Sequence, residues 1–429
     1  MKRSIYKELV VWREKKQKKP LILKGARQVG KTWLMKELGQ NAFTDFVYIN
    51  FEETKTLHSV FELDNNVQRI LQAIQVYSGK KIDPRNTLLI FDEVQACSSA
   101  LTSLKYFNEN APDYHIIAAG SLLGVALHEG QSFPVGKVEY LEVLPMSFHE
   151  FLYAIDQAPL GDIIEKRDWV MMQSFKQTLV EKLKEYYFIG GMPKVVLTFK
   201  ETNSYSEARK EQNLILFAYE NDFSKHAPVK VVPKIRLVWQ SIIAQLSKEN
   251  KKFIYKILKE GARAKEFEYA ILWLSDAGLI HKVTRIDAPK LPLSAYEDIQ
   301  DFKVFLLDIG LLTAMANIHE TVLLDSSQLM TEFKGTLTEQ YVLQQLKCLG
   351  VPIHYWTVEK SKAEVDFIVQ VQNDIVPIEV KAAENVKSKS LRIYFEKYHP
   401  SKVVRTSLSD YRVQDWMTNI PLYAISAIV

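Results

Sequence analysis

The stretch Leu21-Ile22-Leu23-Lys24-Gly25-Ala26-Arg27-Gln28-Val29-Gly30-Lys31-Thr32 decides the fold. Its last eight residues fit GxxxxGK[ST] at every fixed position, and the apolar triplet ahead of them reads as the strand from which such a loop passes into a helix. Glycines let the backbone turn tightly and aim N–H groups inward, while the helix N-terminus presents partial positive charge to phosphates. Lys31 is expected to neutralise the β and γ phosphates of a nucleoside triphosphate, and Thr32 to ligate Mg²⁺. Gly25, Ala26, Arg27, Gln28, Val29, Gly30, Lys31 and Thr32 are the candidate nucleotide-binding residues.

A second motif belongs with the first. In Leu88-Leu89-Ile90-Phe91-Asp92-Glu93, four apolar residues precede two carboxylates, the pattern of a buried parallel strand that delivers acids at its carboxyl edge. Asp92 would hold Mg²⁺ directly or through water, and Glu93 would polarise the attacking water as general base. A third strand, Tyr114 to Ala119, ends at Gly120-Ser121. Ser121 is the candidate sensor of the γ-phosphate; it suits equally a cap on the next helix, and the two roles are compatible.

Strand-like runs (Leu21 to Leu23, Phe46 to Phe51, Leu88 to Phe91, Ile116 to Ala119, Val138 to Leu144) alternate with helical stretches up to about Phe151. That alternation predicts an α/β core with a parallel sheet over residues 1–150. From 151 to 250 the strand signals fade, and segments such as Lys182 to Phe188 and Ile235 to Leu246 read as a helical connector or lid. Residues 251–290 give helix (Phe253 to Leu258), turn (Gly261), helix (Glu266 to Asp276) and strand (Leu279 to Val283), an order resembling a winged helix. Ile254, Ile257 and Leu258 would pack on Ile271, Leu272 and Leu274, leaving Arg263, Lys265 and Lys282 to meet phosphates. Docking on a protein suits this module equally well.

At 429 residues the chain exceeds one hydrophobic core. With 47% hydrophobic and 25% charged residues it is ordinary globular protein, and a net charge of +4 identifies no polyanionic partner. Cys97 and Cys348 form no CxxC pair and suit a reducing interior. Met1 to Trp12 lacks the apolar core of a signal peptide, and the uncharged stretch Tyr114 to His128 is too short to span a bilayer, so a soluble cytoplasmic protein with no membrane partner is expected.

The last region, 291–429, holds a second constellation. Glu339 shares a helical stripe with Val342, Leu343 and Leu346, which turns a carboxylate inward where a core residue is expected. Asp366 points opposite to Val365, Phe367 and Val369 on one strand, and Glu379 and Lys381 share a face of the next. Three carboxylates would bind one or two Mg²⁺ ions, and Lys381 would activate water or stabilise phosphorane charge.

The chain resembles a family of prokaryotic AAA-type P-loop ATPases in which the nucleotide core is followed by a helical segment, a winged helix and a restriction-endonuclease-like domain of the PD-(D/E)xK type. The resembling elements are Lys24 to Thr32, Phe91 to Gln95, Ala119 to Ser121, Leu144-Pro145-Met146-Ser147-Phe148-His149-Glu150-Phe151, Gly190-Gly191-Met192-Pro193, Phe305 to Leu311, Lys334-Gly335 to Glu339, and Asp366, Glu379 and Lys381. The resemblance implies an α/β fold with a small nuclease-like carboxy-terminal domain and, with ATP and Mg²⁺ as cofactors, ATP binding and hydrolysis by a regulatory or motor-like module. Two uses stay open: an ATP-driven enzyme acting on or regulated by DNA or RNA, or a nucleotide-controlled signalling switch that binds a protein partner and whose carboxy-terminal domain is inactive, either of them as one copy or an oligomer. Family chains often place Gly-Arg where this one has Gly136-Lys137, and lysine is a point charge without the bidentate fork of an arginine finger.

Overall fold

The computed structural model describes residues 1–120, 124, 136–248, 251–324, 331–358, 363–383 and 388–428. They form two compact units: Lys2–Leu144 with Asp276–Gly278, and Pro145–Ser275 with Leu279–Val429.

The first unit is built on β1 (Leu21–Lys24), β2 (Asp45–Asn50), β3 (Thr87–Asp92), β4 (His115–Ala119) and β5 (Glu139–Glu142). All neighbours are parallel, in the order β2-β3-β4-β1-β5. β3 and β4 are buried at every residue, which is why they read as unbroken apolar runs. Parallel strands end on one edge, so the loop after β1 and the acids after β3 emerge together with only β4 between them. Beneath that edge the rings of Phe51, Phe61 and Phe91 meet edge-on with centroids 5.3–5.8 Å apart. Such pairs add about 0.5–1.5 kcal/mol each beyond their burial. Phe91 is thereby locked, and with it the backbone that carries Asp92.

The second unit opens with helices, among them Lys176–Ile189, Tyr205–His226 and Val232–Leu246, as the sequence predicts. The expected helix Phe253 to Leu258 is only a 3-10 turn, Tyr255–Ile257, followed by helix Ala264–Asp276. Leu272 on that helix stays 42% exposed and does not join the expected apolar contact. Strands β6 (Ile280–Ile286) and β7 (Glu297–Leu306) then form an antiparallel pair. The others are β8 (Ile353–Thr357), β9 (Glu364–Val371), β10 (Asp374–Val380), β11 (Val404–Ser407), β12 (Arg412–Val413) and β13 (Thr418–Pro421). They form one mixed sheet in the order β12-β13-β11-β10-β9-β8-β6-β7, so strands on both sides of residue 290 share it.

Several of the motifs quoted above meet at Asp308, which is fully buried. Its carboxylate accepts from the Gly191 N–H (2.6 Å), the Leu311 N–H (3.0 Å) and Gln344 Nε2 (2.9 Å). A Cβ on Gly190 would stand 2.2 Å from Asp308 Oδ1, and Gly190 has φ 76°, so glycine is required there. Met146 N–H donates to Gly191 O at 2.6 Å, and Ser147 and Glu150 form a reciprocal capping box on helix Phe148–Ala154. The Gly-Gly, Leu-Pro-Met-Ser-Phe and Leu-Leu-Asp segments are thus parts of one buried joint. Among the described residues no helix is long and apolar enough to cross a membrane.

Candidate active site

The phosphate loop is held open by its backbone. Gly25 has φ 140°, and a Cβ there would lie 2.2 Å from Val143 O. Gln28 (φ 68°) and Gly30 (φ 97°) also take positive φ, and Gly30 delivers the chain into helix Lys31–Ala42, whose first N–H groups have no partner within the helix. Buried Arg3 donates to Val29 O (3.0 Å) and Leu144 O (2.6 Å), tying the loop to the chain beyond β5. Its distance in sequence hides this role.

Lys31 is 6% exposed, and its ammonium donates to Gly25 O and Ala26 O, each at 2.8 Å. Burial pulls its pKa down to about 8, against the opposing charges of Glu93 and Asp92. Thr32 Oγ1 donates to Asp92 Oδ2 at 2.7 Å, which joins the loop to the acid strand. The same oxygen accepts from the Tyr48 hydroxyl at 2.9 Å, and Asp92 Oδ1 accepts from the Glu93 N–H at 3.0 Å. Tyr48 lies on β2, where Val47 and Ile49 are buried and Tyr48 is half-buried. No spacing rule flagged it. Burial and the Asp92 charge raise its phenol pKa, so it remains a donor.

Glu93 takes the left-handed conformation (φ 47°, ψ 44°), and its carboxylate accepts from Gln95 Nε2 at 2.7 Å. Ser121 lies outside the described residues. Lys137 pairs with Glu109 at 2.9 Å and is 41% exposed. Oxygen donors from Thr32 and Asp92 at hydrogen-bond distance suit Mg²⁺, and the loop backbone suits a triphosphate.

The carboxy-terminal constellation is real in space but differently partnered. Glu339 faces inward as expected, yet its Oε1 accepts from the buried Lys251. Fully buried Lys303 pairs with Glu364, and Lys381 with Glu379 at 2.6 Å. Asp366 Oδ2 accepts from the Val380 N–H at 2.8 Å, and Glu379 Oε2 from the Leu391 N–H at 3.1 Å. Burial, then the Glu339 charge, push the Asp366 pKa up to about 7. Burial would also raise Glu339, but Lys251 and Lys303 hold it below the ordinary carboxylate range. Among the described residues no group of three or more His, Cys, Asp or Glu side chains is placed to hold a metal ion. The expected Mg²⁺ ligands Glu339, Asp366 and Glu379 therefore do not fit a shared ion as they stand: lysines and backbone N–H groups take the oxygens. Lys251, Lys303 and Glu364 were not legible in the sequence.

Residues 17–152 match the profile of a family described as an AAA domain. Residues 180–322 and 334–425 match two further families, each described as a domain of unknown function. An uncharacterized protein of Methanocaldococcus jannaschii is 24% identical over 381 residues, covering 87% of this chain and 77% of that protein. A second uncharacterized protein of the same organism is 25% identical over 193 residues, 42% of this chain and 39% of that protein. The Walker-type ATPase PABY2304 of Pyrococcus abyssi overlays with a TM-score of 0.43 at 14% identity, covering 72% of this chain and 94% of that one. The family match and the loop, strand order and acid strand together define residues 17–152 as a P-loop ATPase domain of the AAA type.

Proposed function

We propose that the chain binds ATP with Mg²⁺ and hydrolyses it. The observation that carries this reading is the 2.7 Å bond between Thr32 and Asp92, which brings the two expected Mg²⁺ partners together at the mouth of the loop. Backbone N–H groups of Gly25 to Thr32 would cradle the phosphates, and Lys31 would pair with the β and γ oxygens. Mg²⁺ would be held by Thr32 and Asp92 and would neutralise charge developing on the phosphates. Glu93, released from Gln95, would accept the proton of the attacking water. Lys137 pairs with Glu109, so either Lys137 substitutes weakly for the finger, or an arginine of a second copy acts in trans, or hydrolysis is slow. ATP turnover with Mg²⁺ and with EDTA tests the proposal, and a protein that binds no nucleotide under either condition refutes it.

For the second unit two uses divide. Exposed Arg263 and Lys265 at the start of helix Ala264–Asp276 support contact with DNA or RNA by a winged-helix-like module, and acceleration of ATP turnover by added DNA or RNA tests that. The lysine-partnered carboxylates favour a nuclease-like module that does not cut, so that nucleotide state acts through a protein or nucleic-acid partner.

A further inference from the structure

The carboxylate pocket of the second unit contains a feature that a metal centre has no use for. Lys251 is 8% exposed, sits in the left-handed region at φ 50°, and buries its ammonium on Glu339, itself 9% exposed. A lysine gains nothing from that backbone conformation, and taking an ammonium and a carboxylate out of water is costly. Both costs are accepted at one residue. The pocket also keeps one open position: Glu339 Oε2 is buried and accepts no hydrogen bond among the described residues. Lys251 and Lys303 both act electrostatically on Glu339 and on Asp366, the two carboxylates that would otherwise repel each other.

We propose that Lys251 is an internal cation plug: its ammonium supplies to Glu339 and Asp366 the positive charge that a divalent ion supplies in an open carboxylate site. The wild-type pocket therefore takes no divalent ion, and the pocket freed of Lys251 takes one, of the oxygen-seeking class that includes Mn²⁺. Removing the stem leaves Glu339 with two oxygens to offer instead of one. Asp366, near enough to Glu339 for the two charges to act on each other, has one oxygen engaged by a backbone N–H, an arrangement compatible with metal ligation by the other. This inference rests on the reading of the second unit as non-cleaving and is independent of the ATP site.

The test counts bound Mn²⁺ by electron paramagnetic resonance in the full-length, nucleotide-free chain, comparing wild type with Lys251→Met, so that any ion at the nucleotide site cancels in the difference. The expected result is about one additional ion per chain in Lys251→Met, lost again in Lys251→Met/Glu339→Gln, with a Mn²⁺-dependent rise in melting temperature confined to the single variant. Equal Mn²⁺ binding by wild type and Lys251→Met overturns the plug. So does an ion in the wild type that Glu339→Gln removes. Should Lys251→Met fail to fold, the double variant carries the test: recovery of folding supports paired charge neutralisation, and failure to recover overturns it. The same samples are incubated with DNA and RNA. Mn²⁺-dependent cleavage by wild type that Asp366→Asn abolishes overturns the non-cleaving reading and the plug together, whereas absence of the extra ion without cleavage overturns the plug alone.

Discussion

Both units bury lysine close to carboxylates, and they dispose of the charge in opposite ways. At the phosphate loop, Lys31 is bonded to the carbonyls of Gly25 and Ala26, and Asp92 is bonded by the neutral hydroxyls of Thr32 and Tyr48. In the second unit each of Glu339, Glu364 and Glu379 carries a lysine of its own. The consequence is visible in the ammoniums. Burial lowers Lys31 to about 8, whereas Lys303 and Lys381, although also penalised by burial, are raised by the carboxylates beside them. A buried ammonium whose hydrogen bonds go to carbonyls, with carboxylates nearby but not bonded to it, still favours an anionic ligand; one bonded directly to a full counter-charge has little left to offer. In the proposed function the first site receives a triphosphate; the second is closed upon itself.

The contrast is broken most severely at Glu93. Glu93→Gln should slow ATP turnover by about 10²–10⁴-fold, the usual share of a general base, while ATP remains bound and can be recovered intact from the protein. Wild-type turnover in that variant would make Glu93 an ordinary acidic turn residue. Next in size, Lys31→Ala should weaken ATP about 100-fold, as loss of a charge-assisted contact of 1.5–3 kcal/mol implies. Titration with a fluorescent ATP analogue reads this directly, and undiminished affinity in a folded variant would remove the site on which the comparison stands.

Protonation sharpens the same point. Lys31 in the free protein loses its proton around pH 8, and a bound triphosphate raises that pKa, so ATP binding takes up a proton above pH 8. Affinity should be flat below about pH 7 and fall by up to about tenfold per pH unit above 8. Calorimetry at pH 8.5 in buffers of different ionisation enthalpy measures the uptake, and a binding enthalpy independent of buffer contradicts it. The smallest effect belongs to Tyr48→Phe, which removes one of two hydroxyl donors from Asp92 Oδ2. The Mg²⁺ concentration needed for half-maximal turnover should rise about 3- to 10-fold, while ATP binding in EDTA stays unchanged. Unaltered Mg²⁺ dependence would reduce Tyr48 to packing.

The phosphate loop, the acid strand, five parallel strands and the inward turn of Glu339 were legible because each is encoded within a few consecutive residues: a turn geometry that needs glycine, an apolar run, a stripe of period 3.6. At Phe253 to Leu258 the chain runs extended first, with the Phe253 N–H on Phe302 O of β7 and Ile254 at φ −112°, ψ 107°, so that only the 3-10 turn Tyr255–Ile257 forms in place of the expected helix. The pairing of charges lay beyond local rules altogether. Lys251 and Glu339 are 88 residues apart, Lys303 and Glu364 61, and Thr32 and Asp92 60, yet only the last pair was expected, because two recognisable motifs announced that they serve one ligand. Where no motif speaks, sheet order and register alone select which ammonium reaches which carboxylate. The sequence by itself determined that this chain has a P-loop followed by an acid strand, and a set of inward carboxylates in its last region. Only the tertiary structure decided that the first keeps its lysine on carbonyl dipoles and that the second fills itself with lysine, since side-chain charge pairs depend on distances between segments that no local periodicity contains.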